Sequence, residues 1–314
     1  MRRFSIGTSL GDGFRLLGRR PLAVFAWGLL IVAPMIAMFV AMLPALASIS
    51  ALSMEAGAET GEMPPELVAE MMQLQAASML ANLVQLLVMA VVYTAIMRAV
   101  LRPAEKSVFS LRIGMDEIRV AVVGLAIGVG LYVVIIMATL LGMGVGFAAW
   151  GSRMEAGPGV ALAIVLFLVL LIALGWALGR VSLMAPATVL YRDFGFAQGW
   201  RLAAGKGWAL FGLMVVILLL FLVFEIVIIM VTAALGASLV VVASNAGIDW
   251  SAADPFAEAS AWLGANWYWG VVFVALAGLV AGAIATLSVA PFASACRQLA
   301  DSGPRDEASP APAA

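Results

Sequence analysis

Between Trp208 and Ala243 the chain carries a single ionisable side chain, Glu225, in a stretch otherwise made of apolar, small and hydroxyl-bearing residues. A run this long is enough to cross a hydrocarbon layer about 30 Å thick, which takes about 20 apolar residues as a helix. Backbone amides in that layer find no water, so the segment must satisfy them within itself by coiling. Five more runs obey the same rule, giving six at roughly 22–47, 76–98, 119–149, 159–184, 208–243 and 267–295. Composition agrees: 64% of residues are hydrophobic and 11% charged, against about 25% charged in a soluble domain. The expected fold class is all-α, a polytopic membrane protein. Its six transmembrane helices are expected to form three helical hairpins, each preceded by a short cytoplasmic amphipathic segment. Residues 1–300 are expected to form one domain. The tail 301–314, rich in Pro, Ala and Ser, has too few apolar anchors to order.

The third and fifth runs exceed one crossing at about 1.5 Å per residue, so they must tilt, bend or project beyond the lipid. Gly142, Gly144, Gly146 and Gly236 are the expected breakpoints. Pro34, which lacks a backbone donor, is expected to kink the first helix.

Charge sets the orientation. Arginines and lysines gather before the first run and after each even-numbered one, whereas the first loop carries Glu55, Glu59, Glu62, Glu66 and Glu70 and the fifth carries Asp249, Asp254 and Glu258. Basic short loops stay cytoplasmic, so both termini are expected inside a bacterial inner membrane. Trp150, Trp262, Trp267, Tyr268 and Trp269 fall at the opposite boundary, where amphipathic rings prefer the headgroup level. The partners this implies are membrane lipids, with anionic headgroups at the basic cytoplasmic face. A protein partner stays open, and no nucleic acid is implied.

The start of the chain, with Arg19, Arg20 and an "ALA" at 45–47, imitates a cleaved signal, but its apolar run is too long and its pattern returns mid-chain. "DGFRLLGRRPLAVF" at 12–25 aligns with "QGWRLAAGKGWALF" at 198–211, and a fainter copy is "DEIRV" at 116–120. Arg15, Arg119 and Arg201 are thus equivalent. The ends of the even-numbered runs also match: "APATVLYR" closes at Arg192 and "APFASACR" at Arg297, while Arg102 closes the first, with Ile96 in place of proline. A basic segment followed by a helical pair, used three times, is the expected unit. In the lead-in segments, Leu10, Phe14 and Leu17, and Leu111, Met115 and Ile118, fall on one helical stripe suited to the headgroup plane; a plain extension of the following helix fits equally. Gly124/Gly128, Gly175/Gly179 and Gly278/Gly282 have the spacing of close helix packing.

A six-helix chain of this orientation, opening on "F-x-x-G…(F/W)RL…R", resembles the glycerophosphoryl diester phosphodiesterase membrane-domain family over about residues 4–300. That family's name derives from a catalytic barrel sometimes fused to such a domain. This chain has no such barrel, so the resemblance implies no catalytic position.

Residue inventory also argues against enzymes. The chain has no His, the commonest general base. Its single Cys296 excludes a disulfide within the chain or a thiolate cluster. No cofactor or metal is expected. The reading is a non-enzymatic protein that organises or senses the bilayer or supports a membrane partner. The alternative is a small-solute or lipid permease with a polar path around Glu225. An intramembrane carboxylate usually faces the bundle and finds a partner. Arg180 is the charged candidate, with Gln85, Asn82, Tyr93 and Tyr132 as neutral ones.

Overall fold

The computed structural model describes residues 4–59, 65–104, 108–112, 114–151, 156–245, 262 and 264–302, and no described residue lies in a strand. The helices are α1 (Ile6–Arg19), α2 (Pro21–Glu59), α3 (Pro65–Leu101), α4 (Met115–Gly151), α5 (Ala156–Val181), α6 (Met184–Tyr191), α7 (Phe196–Leu202), α8 (Gly207–Asn245) and α9 (Trp267–Ser302), with a 3₁₀ turn at Val108–Ser110. Six stretches are long and apolar enough to span a membrane: Pro21–Met42, Val68–Leu101, Met115–Gly144, Ile164–Tyr191, Gly207–Val242 and Trp267–Ser302. The chain is therefore a multi-pass membrane protein. The acids Asp249, Asp254 and Glu258, and the tail from 303, lie outside the described residues.

Helix boundaries follow local chemistry. Pro21 opens α2, where a missing donor costs nothing, and so separates it from α1. Pro186 cannot donate to the Ser182 carbonyl four residues back, and the helical path breaks just there, between α5 and α6. Helices α2 and α3 extend well past the apolar runs, because 48–59 and 65–75 are rich in Ala, Glu, Met and Leu, strong helix formers even where too polar for lipid. The expected glycine breakpoints are not breaks: α4 runs through Gly142, Gly144 and Gly146, and α8 through Gly236. A helical Gly costs about 1 kcal/mol relative to Ala, less than leaving backbone groups unpaired in hydrocarbon.

The chain divides into two compact units. One comprises Met1–Leu16, Thr94–Val216 and Leu287–Ala314. Within it α4 packs on α5 and α6, and α7 on α5 and α6. Ile96, Val123, Leu183, Val189, Leu210 and Leu287 are buried there. The lead-in to α4 is not a separate helix, since Met115 and Ile118 belong to its first turns and are exposed. The lead-in to α2 is separate. Helix α1 buries Ser9, Gly13 and Leu16, leaving the neighbouring stripe of Leu10, Phe14 and Leu17 half-buried or exposed.

The other unit comprises Leu17–Tyr93 and Ile217–Thr286. A close seam joins α2 to α9 among the described residues. A Cβ on Gly28 would overlap the Gly278 carbonyl oxygen, and one on Gly282 would overlap the Val24 carbonyl. Lipid tails are as apolar as the side chains, so close backbone approach supplies dispersion that leucines could not add. Val24 and Trp27 are fully shielded beside this seam.

Candidate functional site

The three lead-in segments and the three arginine-bearing helix ends supply most of the polar contacts in the first unit. In the first copy, Asp12 accepts a hydrogen bond from Arg297 Nη2 at 3.0 Å and from Ser294 Oγ at 2.6 Å. In the copy that opens α4, Asp116 lies 3.2 Å from Arg102 Nη1. The alignment puts these pairs in equivalent places: acid, then a variable pair, then arginine. The i,i+3 partner is equivalent too, with Arg15 at 3.3 Å from Asp12 and Arg119 at 3.6 Å from Asp116. Gln198 holds the acid position in the remaining copy, and its Oε1 is buried without a hydrogen-bond partner; Arg201 beside it is exposed.

The residue after the acid also serves one purpose in all three copies, contact with a neighbouring helix. At Gly13 an added Cβ would lie 3.5 Å from Leu287 and Pro291 side-chain atoms, and at Gly199 it would come within 2.6 Å of the Met184 Cα. Glu117 takes this place before α4 and reaches Arg98 Nη2 at 2.5 Å. Side chains of Arg98 and Glu117 are 3% and 5% exposed, so the pair is desolvated and is supported by further polar contacts at each end. Glu117 also accepts from the Gly114 amide at 2.9 Å, and Arg98 donates to the Ser110 carbonyl at 3.0 Å. That second bond holds a turn in which Phe109 and Ser110 have φ of 52° and 57°, a left-handed pair that non-glycine residues adopt at a cost.

Arginines at the helix ends link those ends to each other. Arg297 donates to the Val100 carbonyl at 2.9 Å. Arg102 donates to the carbonyls of Val189 and Leu190. Arg192 ends α6 in the left-handed region at φ 56°, and its side chain is exposed. Thus the arginines that the charge pattern assigns to the headgroups are, at 102 and 297, helix clamps.

Arg180 lies in the last turn of α5. Its guanidinium stands 4.3 Å from the ring centre of Trp200 and 5.2 Å from that of Trp176, and the two indoles meet edge to face at 6.3 Å. Indole faces attract a cation most strongly of the aromatic rings, so the place reserved for a carboxylate is taken by two tryptophans. Glu225 is exposed on α8, and among the described residues it makes no hydrogen bond or ion pair. Gln85 donates to the Ile31 carbonyl at 3.3 Å, while its Oε1 is buried without a partner. Asn82 is exposed on the same helix, as is Tyr132 on α4.

Sequence reasoning missed the Arg98–Glu117 pair and the indole cage. The signal for Trp176 was present, four residues before Arg180 on one helical face; nothing local marks Trp200 or Glu117. Family models, curated proteins and solved structures give no match to this chain.

Proposed function

We propose that this chain is a non-enzymatic integral protein of a bacterial inner membrane, with both termini cytoplasmic, that organises or senses the bilayer or supports a membrane partner. Its six spans form three hairpins, each led in by a short amphipathic cytoplasmic segment. The repeated acid–arginine pairs, Asp12–Arg297 and Asp116–Arg102, support the equivalence of two of the three copies. One observation carries the functional reading: long apolar faces of α4, α5 and α8 are open, and the intramembrane carboxylate Glu225 stands on such a face. A surface of that kind meets lipid tails or apolar helices. A permease path would instead gather polar groups around Glu225, so its hydrocarbon setting favours the first reading.

The test is reconstitution of the full chain in vesicles carrying a lipid-packing dye and an internal pH dye. Lipid packing is expected to shift with the protein-to-lipid ratio, while an imposed pH step decays no faster than in protein-free vesicles. A pH step that collapses with the wild type and is retained with Glu225→Gln would establish the permease instead. Reporter fusions after Leu52 and Ile248 are expected to signal outside the cytosol; cytosolic signals from both would overturn the orientation.

A further inference from the structure

Within the second unit, α2 and α3 flank a half-open cavity of about 650 Å³ that widens to the surface at Leu80 and Val84, a volume in the ordinary range of about 300–1,000 Å³ for small-ligand sites. Pro34, Met38 and Met42 line it from α2, and Glu70, Gln73 and Val84 from α3, with alanines at four further positions. The two helices are tied together just below it, where Gln85 donates to the Ile31 carbonyl. From that tie α2 runs on through Pro34 to Met42, and α3 runs back through Val84 to Glu70. The small alanines, Ala37, Ala41, Ala77 and Ala81, leave the space between the walls unfilled.

The chemistry of the walls is graded. Most of the length is hydrocarbon and thioether, and the polar side chains, Glu70 and Gln73, lie together at one end. Glu70 is two residues inside the end of the α3 span at Val68, which places it at headgroup level. Val84 to Glu70 is fourteen residues, about 21 Å of helix at 1.5 Å per residue. That exceeds the roughly 15 Å hydrocarbon depth of one leaflet, half of a core about 30 Å thick, so the cavity offers room for a full acyl chain with a headgroup at its polar end. Methionines suit a flexible tail, being unbranched and polarizable. Among the described lining residues the charged one is an acid, and its neighbour is an amide, a pair that accepts hydrogen bonds from a protonated amine.

We propose that this cavity holds one acyl chain of a membrane lipid whose headgroup bears a primary ammonium, set against Glu70 and Gln73. The assignment deepens the bilayer-sensing reading and rests on it. A quaternary ammonium carries the same charge and donates no hydrogen bond, and an anionic headgroup is repelled by Glu70, so the primary amine is preferred.

The experiment uses the full chain in phosphatidylcholine nanodiscs doped with a mid-chain diazirine lipid bearing either an ethanolamine or a choline headgroup. After irradiation, labelled peptides are mapped by mass spectrometry. Labelling is expected on residues 34–42 and 70–84 above that on the open face of α8 between Leu218 and Val231. The ethanolamine probe is expected to exceed the choline probe about two- to fivefold, the lower range of one net hydrogen bond. Ala77→Trp, which fills the cavity, is expected to lower this labelling at least about fivefold and to leave α8 labelling unchanged. Ala37→Leu on the opposite wall gives the same readout should Ala77→Trp fail to fold. Glu70→Gln is expected to erase the headgroup preference and keep the tail labelling. Labelling at the cavity equal to that on α8, or indifferent to both filling variants, means surface lipid only and overturns the site. An ethanolamine preference that survives Glu70→Gln overturns the headgroup assignment. A packing shift that persists while cavity labelling is absent removes the site and leaves the bilayer reading; cavity labelling with no packing shift removes the reading and leaves the site.

Discussion

Gly278/Gly282 on α9 and Gly124/Gly128 on α4 have identical spacing and opposite uses. On α9 the pair lies against Gly28 and Val24 of α2 with backbone touching backbone. On α4 an added Cβ at either glycine would meet no atom within 4 Å. The same contrast separates the helices as a whole: 33% of the apolar centre of the α2 span is buried, against 11% for α4. Spacing makes close approach possible, and a small residue on the facing helix makes it happen. Gly28 supplies that residue to α9, and within the described chain nothing supplies it to α4. Gly175/Gly179 falls on the packed side, against Phe211 and Gly207 of α8.

The contrast breaks most directly at Gly28. A leucine there cannot be absorbed by a rotamer change, because the atoms in its way belong to the Gly278 carbonyl and the Gly282 amide. Overpacking with side-chain neighbours costs about 1–3 kcal/mol; here the helices must part, so Gly28→Leu is expected to abolish monodisperse protein on size-exclusion chromatography in detergent. A normal profile would mean that the α2–α9 seam is not what holds this unit.

The next largest effect belongs to the desolvated pair in the other unit. Removing Arg98 leaves the buried Glu117 without its counter-charge, a loss of about 3–5 kcal/mol in comparable buried pairs, while removing Glu117 leaves Arg98 with the more distant Asp116 at 3.7 Å. Arg98→Ala and Glu117→Ala are each expected to lower the thermal unfolding temperature strongly, and the double variant less than their sum. Asp12→Asn follows, at about 1–2 kcal/mol for a hydrogen-bonded charge that is partly exposed. Asp116→Asn is expected to match Asp12→Asn if the two copies are equivalent clamps. Thermal unfolding of the five variants side by side checks this; a Glu117→Ala no worse than Asp12→Asn would show the buried pair to be solvated in the membrane.

Much of the architecture was legible because hydrocarbon solvation writes itself as run length: all six spans sit where the apolar runs predict. The helix ends were less legible. Propensity carries α2 and α3 beyond the lipid-compatible residues, and the hydropathy pattern contains no term for that. The repeat was half legible. "DGFR", "DEIR" and "QGWR" align on their arginines, but the acids ahead of two of them, Asp12 and Asp116, pair with arginines at helix ends, and Asp12 and Arg297 are linked only by the fold. Arg98 and Arg102 read as topology signals because loop charge counts cannot distinguish a solvated guanidinium from a clamped one. Glu225 was expected to turn inward, as intramembrane carboxylates usually do; whether a side chain on a uniformly apolar helix faces in or out depends on its neighbours, which have no local signature.

The smallest expected effect is the most informative about α4. Gly124→Leu adds a large side chain into open space on an already helical segment. It exchanges a weak helix former for a strong one, a gain of up to about 1 kcal/mol from propensity. In detergent the variant is therefore expected to be as stable as the wild type or slightly more so, by thermal unfolding, while Gly28→Leu fails. The comparison sharpens when both are measured again in native membranes. A neutral result there leaves α4 facing lipid tails, which accommodate leucine freely. A loss confined to the membrane would show that another helix covers Gly124 and Gly128 in place, from a second copy or a partner, and would move α4 to the same class as α9: a small-residue surface whose facing helix comes from outside the chain.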